Sequence, residues 1–270
     1  MSEILEKESV WLGGLRKPVR TAAIVFTGIA VLVWAWLVLN LLISDDAYGM
    51  HEMIRPQGKP IVYLMLGSAL LSIVFTSIYL SDFIGAIEDK PEGFFDILSL
   101  ITSRMAMIMI GLIVIVMFYE VVSRYVFSRP TLWANELSLW IAGVVFLFAG
   151  QYAMQQRSHI RIYVIYDVMP RWAQKTADCI SVGLIVGFTF ALVWGGYADA
   201  KTRLLRMETF GTAWDPPIPG TMKAAILFII CLVAVQAVSN LIADWNKAPE
   251  HHTDEMDEQE IENIRKTLED

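Results

Sequence analysis

RPTLWANELSLWIAGVVFLFAG, residues 129–150, leads from a charged loop into a long apolar stretch. No charged residue occurs between Leu137 and Gln156. A helix needs about 20 mostly apolar residues to cross the hydrocarbon core of a bilayer, so this run predicts a transmembrane helix. Trp133 and Glu136 stand where that helix enters the membrane.

Five further segments of the chain resemble this one. Charge-free runs occupy residues 21–43, 60–81, 179–198 and 224–243. A run at 105–119 is shorter, but its apolar pattern continues to residue 127 if Glu120 and Arg124 are tolerated. The runs are about twice the length of a barrel strand, and backbone groups in hydrocarbon must be paired. We therefore predict an all-α polytopic membrane protein with about six transmembrane helices.

The composition of the 270 residues agrees with a membrane protein. Hydrophobic residues make up 56% of the chain and charged residues 18%, with a mean hydropathy of +0.51. A soluble domain usually carries about 25% charged residues. Basic residues are more frequent in the segments before the first, third and fifth runs, so both termini are predicted to be cytoplasmic. The basic residues between Lys201 and Arg206 act against this orientation.

Signatures of catalysis are missing from the sequence. No metal-binding, nucleotide-binding or hydrolase motif occurs, and none of the four histidines lies deep in a predicted span. The spans lack the Gly and Pro interruptions that mark the substrate site of many carriers. We therefore expect a helical scaffold with no cofactor, metal site or nucleic-acid partner, rather than a membrane enzyme, an electron-transfer subunit or a self-sufficient small transporter or channel. Cys179 and Cys231 are interpreted as isolated thiols.

The residues at the mouth of the helix after Pro130 form a charged, aromatic face. Trp133, Glu136 and Trp140 are spaced by three and four residues, which places them on one side of a helix that begins near Thr131. The tryptophans are also typical of an interfacial aromatic belt. Burying an acid is costly in a membrane, so a basic partner is expected for Glu136, with Arg124 or Arg129 as candidates.

Three weaker patterns have two interpretations each. Small residues from Ala142 to Ala153 form a stripe that serves either internal packing or contact with another subunit. Residues 157–170 mix basic, apolar and aromatic side chains, which suits either a helix in the membrane plane or an ordinary cytoplasmic loop. The acidic segment after Glu250 is interpreted as a solvated tail, with a docking role as the alternative.

Ordered fragments of the chain resemble the small permease, or DctQ-like, subunits of tripartite ATP-independent periplasmic (TRAP) transporters. The fragments are Arg124-Tyr-Val-Phe127, Pro130, Trp133-Ala-Asn-Glu136, Phe146-Leu-Phe-Ala-Gly150 and Arg157-Ser-His159-Ile-Arg161. A later segment, Thr212-Ala-Trp214-Asp-Pro216-Pro217-Ile-Pro219 followed by Lys223, is similar to a pattern in one subgroup.

The resemblance implies a division of the chain and of its function. Residues 105–246 would form the family's four-helix membrane domain, residues 1–104 an extension with two extra helices, and residues 247–270 an acidic cytoplasmic tail. The chain would then be an inner-membrane subunit that braces a large (M-type) permease subunit. That partner would use an ion gradient to take up an organic acid delivered by a periplasmic binding protein. The alternative is an independent small multi-span transporter or membrane scaffold protein.

The resemblance also implies which residues hold the assembly together. They are structural or interface positions and not catalytic ones: Arg124, Trp133, Glu136, Gly150, His159, Arg161, Trp214, Pro217 and Lys223. The loop from Trp214 to Pro219 would face the space where a binding protein docks.

Overall fold

A computed structural model describes residues 9–44, 47–85, 88, 90–157, 166 and 169–246. Within these residues the fold is entirely helical, which confirms the predicted fold class. A short 3-10 turn at Gly13–Leu15 comes first. The α-helices are α1 (Arg16–Ile43), α2 (Met50–Met53), α3 (Pro60–Ser81), α4 (Phe94–Tyr125), α5 (Ala134–Gln155), α6 (Arg171–Leu205) and α7 (Ile218–Asp244).

Six of these helices, all except α2, are long and apolar enough to span a membrane. The six predicted spans are therefore confirmed as helices, but several extend beyond the charge-free runs. α4 begins at Phe94, 11 residues before the apolar run at Met105, and it continues past Glu120 and Arg124. Charged side chains near both ends of α4 have partners outside the helix: Arg104 binds Glu88, and Glu120 binds Thr131.

One helix start follows from proline chemistry, and another differs from the prediction. Pro60 opens α3, where its missing N–H removes no intrahelical bond. α5 begins at Ala134, with Trp133 as its N-cap, and not near Thr131. The backbone N–H of Thr131 donates to Glu120 of α4, 2.9 Å away, which keeps this residue in the loop.

The spanning helices form a single curved row. α1 packs on α3, α3 on α4, α4 on α5, α5 on α7, and α7 on α6. α4 and α7, the two neighbours of α5, also make a small direct contact. In the most apolar window of each spanning helix, only 6% to 22% of the residues are buried inside the chain. Lipid or another polypeptide must cover the remaining apolar faces.

The row has two ends, which we call proximal and distal. The proximal end contains the start of α1, the end of α3, the start of α4, the end of α5, the start of α6 and the end of α7. The distal end contains α2, the α4–α5 hairpin and the loop before α7. The orientation predicted from the basic residues places the proximal end in the cytoplasm.

Candidate functional site

The α4–α5 hairpin at the distal end is closed by a buried carboxylate. Glu120, 3% exposed, accepts hydrogen bonds from the Arg124 Nε at 2.8 Å and the Thr131 N–H at 2.9 Å, and also from the Thr131 hydroxyl. Arg124 and Glu120 thus form an ion pair one helical turn apart. Arg124 therefore acts within α4, where it holds the carboxylate that binds the loop residue Thr131.

Trp133 and Trp140 attach α5 to two different helices. The Trp133 ring stacks on Tyr119 of α4, with centroids 5.7 Å apart. The Trp140 indole N–H donates to the Thr221 hydroxyl of α7 over 3.0 Å. Both tryptophans are half-buried, so they contribute to helix packing as well as standing at the membrane boundary.

Glu136 does not have the basic partner that we expected. Among the described residues neither Arg124 nor Arg129 forms an ion pair with it, and Arg124 pairs with Glu120 instead. The Glu136 Oε2 atom is shielded from solvent and has no hydrogen-bond partner within the described part of the chain. A shielded carboxylate oxygen of this kind is normally satisfied by a donor.

The stripe of small residues on α5 divides into two parts. A Cβ added to Gly143 would lie 2.8 Å from the Met222 sulfur of α7, so this glycine permits internal packing. Around Gly150 no heavy atom lies within 4 Å of such a Cβ, and Gly150 and Ala149 are exposed. Phe146 on the same side is 76% exposed. We call Phe146, Ala149 and Gly150 the open α5 face.

The loop before α7 packs against the N-terminal extension. Trp214 is 4% exposed, and its indole N–H donates to the Met50 carbonyl of α2 over 2.8 Å. Arg55 approaches Asp215 at 3.5 Å, and Pro217 is buried as the N-cap residue of α7. The expectation that Trp214 and Pro217 face a docking space is therefore wrong for their side chains. Sequence reasoning missed this contact because its two partners lie 164 positions apart.

Lys223 belongs to a charged network that joins α6 to α7. Its ammonium pairs with Asp199, and Asp199 also accepts from the Arg203 Nε at 2.8 Å. Arg203 pairs in turn with Glu208. A Cβ at Gly220 would lie 3.0 Å from the Arg203 carbonyl oxygen, so the two helices meet closely here. Lys223 therefore has an ionic partner in addition to its position at a span end.

At the proximal end, Asp82 binds the segment that leads into α1. Its Oδ1 accepts three consecutive backbone N–H groups, from Val10, Trp11 and Leu12, each at 3.0 Å, and the Ser9 hydroxyl at 2.9 Å. Asp82 is 1% exposed, and the Arg16 Nε lies 3.4 Å from its Oδ2. Sequence analysis did not find this carboxylate nest, because nothing around Asp82 indicates donors about 70 positions away.

A second proximal cluster ties the α3–α4 connection to α5. Arg104 of α4 donates to the Phe83 carbonyl at 2.9 Å and to Glu88 at 2.6 Å, while the Tyr152 hydroxyl of α5 donates to Glu88 at 2.7 Å. Burial alone would raise the pKa of Glu88, but the hydrogen bonds from Arg104, the Gly85 N–H and Tyr152 outweigh it and hold the pKa below its usual range. Glu88 therefore stays ionised at neutral pH.

Further polar contacts close the proximal end between α4, α5 and α7. Gln236 of α7 donates to Asp96 of α4 at 2.7 Å, and Asn240 donates to the Met154 carbonyl of α5 at 2.6 Å. Arg157 makes two bonds to Asp244, of 2.6 and 2.8 Å. The Asn240 and Arg157 contacts add to the packing of α5 on α7, and the Gln236–Asp96 bond connects α4 to α7, which otherwise touch only lightly.

Some predictions fall outside the described residues. His159, Arg161 and most of the segment interpreted as an in-plane helix belong to this group, as does the acidic tail. Within the described residues, no three His, Cys, Asp or Glu side chains are grouped as metal ligands would be. Cys179 and Cys231 are free and exposed.

Comparison with known proteins gives one result. The model of a family described as "Tripartite ATP-independent periplasmic transporters, DctQ component" matches residues 113–247, half of the 270-residue chain. Helices α1 to α3 and the first part of α4 precede the matched region. Searches of curated proteins and of solved structures gave no match.

Proposed function

The chain belongs to the DctQ family of TRAP transporter components, and we propose that it is the small membrane subunit that braces the large permease subunit. In this role it supports the ion-gradient-driven uptake of an organic acid delivered by a periplasmic binding protein. The family match over residues 113–247 carries the proposal. Substrate movement belongs to the partner.

The architecture supports a brace rather than a carrier. A carrier encloses its substrate between helices, commonly at interrupted segments near the bilayer midplane. Here the described helices stand in one row, and each of the six spanning segments is a continuous helix. The ends of the row are held by hydrogen bonds and ion pairs, which makes it a stiff support with uncovered apolar sides.

We place the contact with the large subunit on the open α5 face. α4 and α7 occupy the other sides of α5, and Gly150 has free space where a neighbouring helix would approach. In lipid, small residues favour helix association because they allow close van der Waals packing. Trp133 and Glu136 lie at the distal end of the same helix and are assigned to this contact region.

We extend the proposal to the remaining partners and to the location of the chain. The chain lies in the bacterial inner membrane as a multi-pass protein, with both termini in the cytoplasm. The periplasmic binding protein then docks at the distal end, where residues 209–213 of the loop before α7 are exposed. His159, Arg161, Lys223 and Arg124 are proposed as structural residues that position the membrane boundary, and none is catalytic.

In this proposal, the N-terminal extension of the chain ends where α4 begins. Residues 104 and 105, the boundary predicted from the sequence, lie in one continuous helix from Phe94 to Tyr125. We therefore propose an extension up to Gly93, a membrane unit from α4 to α7, and an acidic tail after residue 246. The lipid bilayer covers the outer sides of α1 and α6, which end the row.

Affinity purification tests the proposed function. The tagged full chain is extracted from its native membrane in mild detergent, and co-purifying proteins are identified by mass spectrometry. We expect a large, many-span membrane protein in about equimolar amount. Recovery of an intact, monodisperse chain by itself would contradict the proposal and favour an independent transporter or scaffold.

A pair of glycine variants tests the contact surface in the same experiment. Gly150→Leu fills the free space on the open α5 face and is expected to lower recovery of the large subunit by about tenfold, the effect of about 1.4 kcal/mol. Gly28→Leu, at an exposed glycine of α1 with equally free space, is the matched control and should leave recovery unchanged.

A further inference from the structure

An open pocket of about 520 Å³ lies at the distal end of α4, beside the Tyr119–Trp133 stack. Tyr119, Val122 and Ser123 of α4 line it together with Phe127 and Arg129 of the hairpin loop. Its volume is in the range of small-molecule sites, roughly 300 to 1,000 Å³. Its wall is apolar and aromatic apart from Ser123 and the arginine.

The hairpin holds this pocket in a defined shape. The Arg129 N–H donates to the Ser123 carbonyl at 2.9 Å, and the Ser123 hydroxyl donates back to the Arg129 carbonyl. Ser128 adopts a φ of +54°, which turns the chain sharply just before Arg129. The Glu120 contacts to Thr131 lie directly beyond. These bonds fix the main chain at Arg129, while the Arg129 side chain is exposed.

The charge at the pocket is positive. Arg124, the nearest other cation on α4, is neutralised by Glu120. In the part of the chain that the structure describes, no carboxylate lies within ion-pair distance of the Arg129 guanidinium. The rigid guanidinium fork suits a phosphate group, to which it can donate two parallel hydrogen bonds.

The depth of the pocket matches the headgroup region of a bilayer. Tyr125 and Phe127 are 77% and 67% exposed beside it, and Trp133 stacks on Tyr119 at the same level. Aromatic residues concentrate at this boundary between hydrocarbon and water. Below the arginine, the exposed flank of α4 continues with Phe118 and Ile115, an apolar surface suited to an acyl chain.

From these four observations we propose that the pocket binds one phospholipid with an anionic headgroup. The phosphodiester accepts hydrogen bonds from the Arg129 guanidinium, the glycerol region contacts Tyr119 and Phe127, and an acyl chain lies along α4. The unbalanced positive charge favours a headgroup of net charge −1 over a zwitterionic one. The site depends on this chain alone and stands whether or not the proposed function is correct.

Native mass spectrometry of the full chain, released from nanodiscs, tests the proposal. The nanodiscs contain phosphatidylcholine with an equal amount of phosphatidylglycerol of different mass. The wild-type chain is expected to retain one phosphatidylglycerol in preference to phosphatidylcholine. Arg129→Gln keeps the main-chain bonds of the hairpin and should lower that retention about tenfold, as expected for one charge-assisted hydrogen-bonding group.

Arg206→Gln is the matched control, because Arg206 is also an exposed arginine at the distal end but does not line the pocket. It should leave retention unchanged. Equal retention of the two lipids by the wild-type chain would overturn the proposal without any variant. An equal loss in the two variants would also overturn it, since general surface charge would then account for binding.

Discussion

Asp82 shows how a single residue holds a segment that precedes a helix. Its carboxylate follows the last residue of α3, yet it binds the chain just before α1. Three consecutive N–H groups, from Val10, Trp11 and Leu12, donate to one of its oxygens. Hydrogen bonds to a carboxylate are stronger than those to a neutral acceptor, so this residue fixes the path of the chain toward α1.

Replacement of Asp82 by alanine should release the segment before α1. The variant leaves the N–H groups of Val10, Trp11 and Leu12 without their acceptor, and hydrogen bonds to a charged group contribute about 1.5 to 3 kcal/mol each. We expect hydrogen exchange of these amides to increase by about a hundredfold, with the rest of α1 unchanged. Ser9→Ala removes only one donor to the nest and should have a much smaller effect. Unaltered exchange in Asp82→Ala would show that the nest does not hold this segment.

Glu136 is one of several described residues with a buried polar atom that has no hydrogen-bond partner within the described part of the chain. Its shielded oxygen has no donor among the described residues, and buried polar atoms are rarely left so. We infer that the large subunit supplies the donor. The Glu136→Gln variant should then insert into the membrane normally, but the affinity purification should recover severalfold less of the large subunit with it. Asn135→Gln, at the adjacent exposed position, is the control; full recovery with both variants would remove Glu136 from the interface.

At the scale of elements, hydropathy made the six spans predictable, but not the ends of the helices. Spanning segments follow from length and apolar content, which the bilayer imposes on any sequence. Hydropathy does not indicate the start of α4 at Phe94 or the start of α5 at Ala134. In the first turn of α4, Asp96 accepts a hydrogen bond from Gln236, a residue 140 positions away. The Glu120–Arg124 pair was predictable because both residues lie on one helix. The buried state of Trp214 was not, because its partner is in α2.

The connection between α3 and α4 should weaken in acid. The pKa of Glu88 is lowered from the ordinary 4.5, so its ionised form stabilises the folded chain above pH 4.5 and this contribution is lost as the pH falls through the lower, folded value. Wild type should therefore unfold at a higher temperature than Glu88→Gln at pH 7, and the difference should disappear toward pH 3. Thermal unfolding in detergent at several pH values measures it. A difference that is constant with pH would exclude the Glu88 charge as its source.

At the scale of the whole molecule, the extension is an integral part of the row rather than an appended domain. The Tyr152 hydroxyl binds Glu88 at the proximal end, and the Met50–Trp214 contact holds the extension at the distal end. The family match begins within α4, so these contacts join the matched region to α1–α3. A row of helices tied at both ends can resist bending, as a brace for a larger moving protein requires. Its order, with α6 and α7 exchanged relative to the sequence, did not follow from the sequence because all six spans are similarly apolar.

The most direct test of the bracing role is a cryo-electron microscopy map of the assembly purified from its native membrane into nanodiscs. Our account expects the curved row of six helices, with a helix of a second, larger polypeptide packed on Phe146, Ala149 and Gly150 of the open α5 face. It also expects α1 and α6 to face lipid on their outer sides. A map in which lipid alone, or a second copy of this chain, covers the open α5 face would contradict the account.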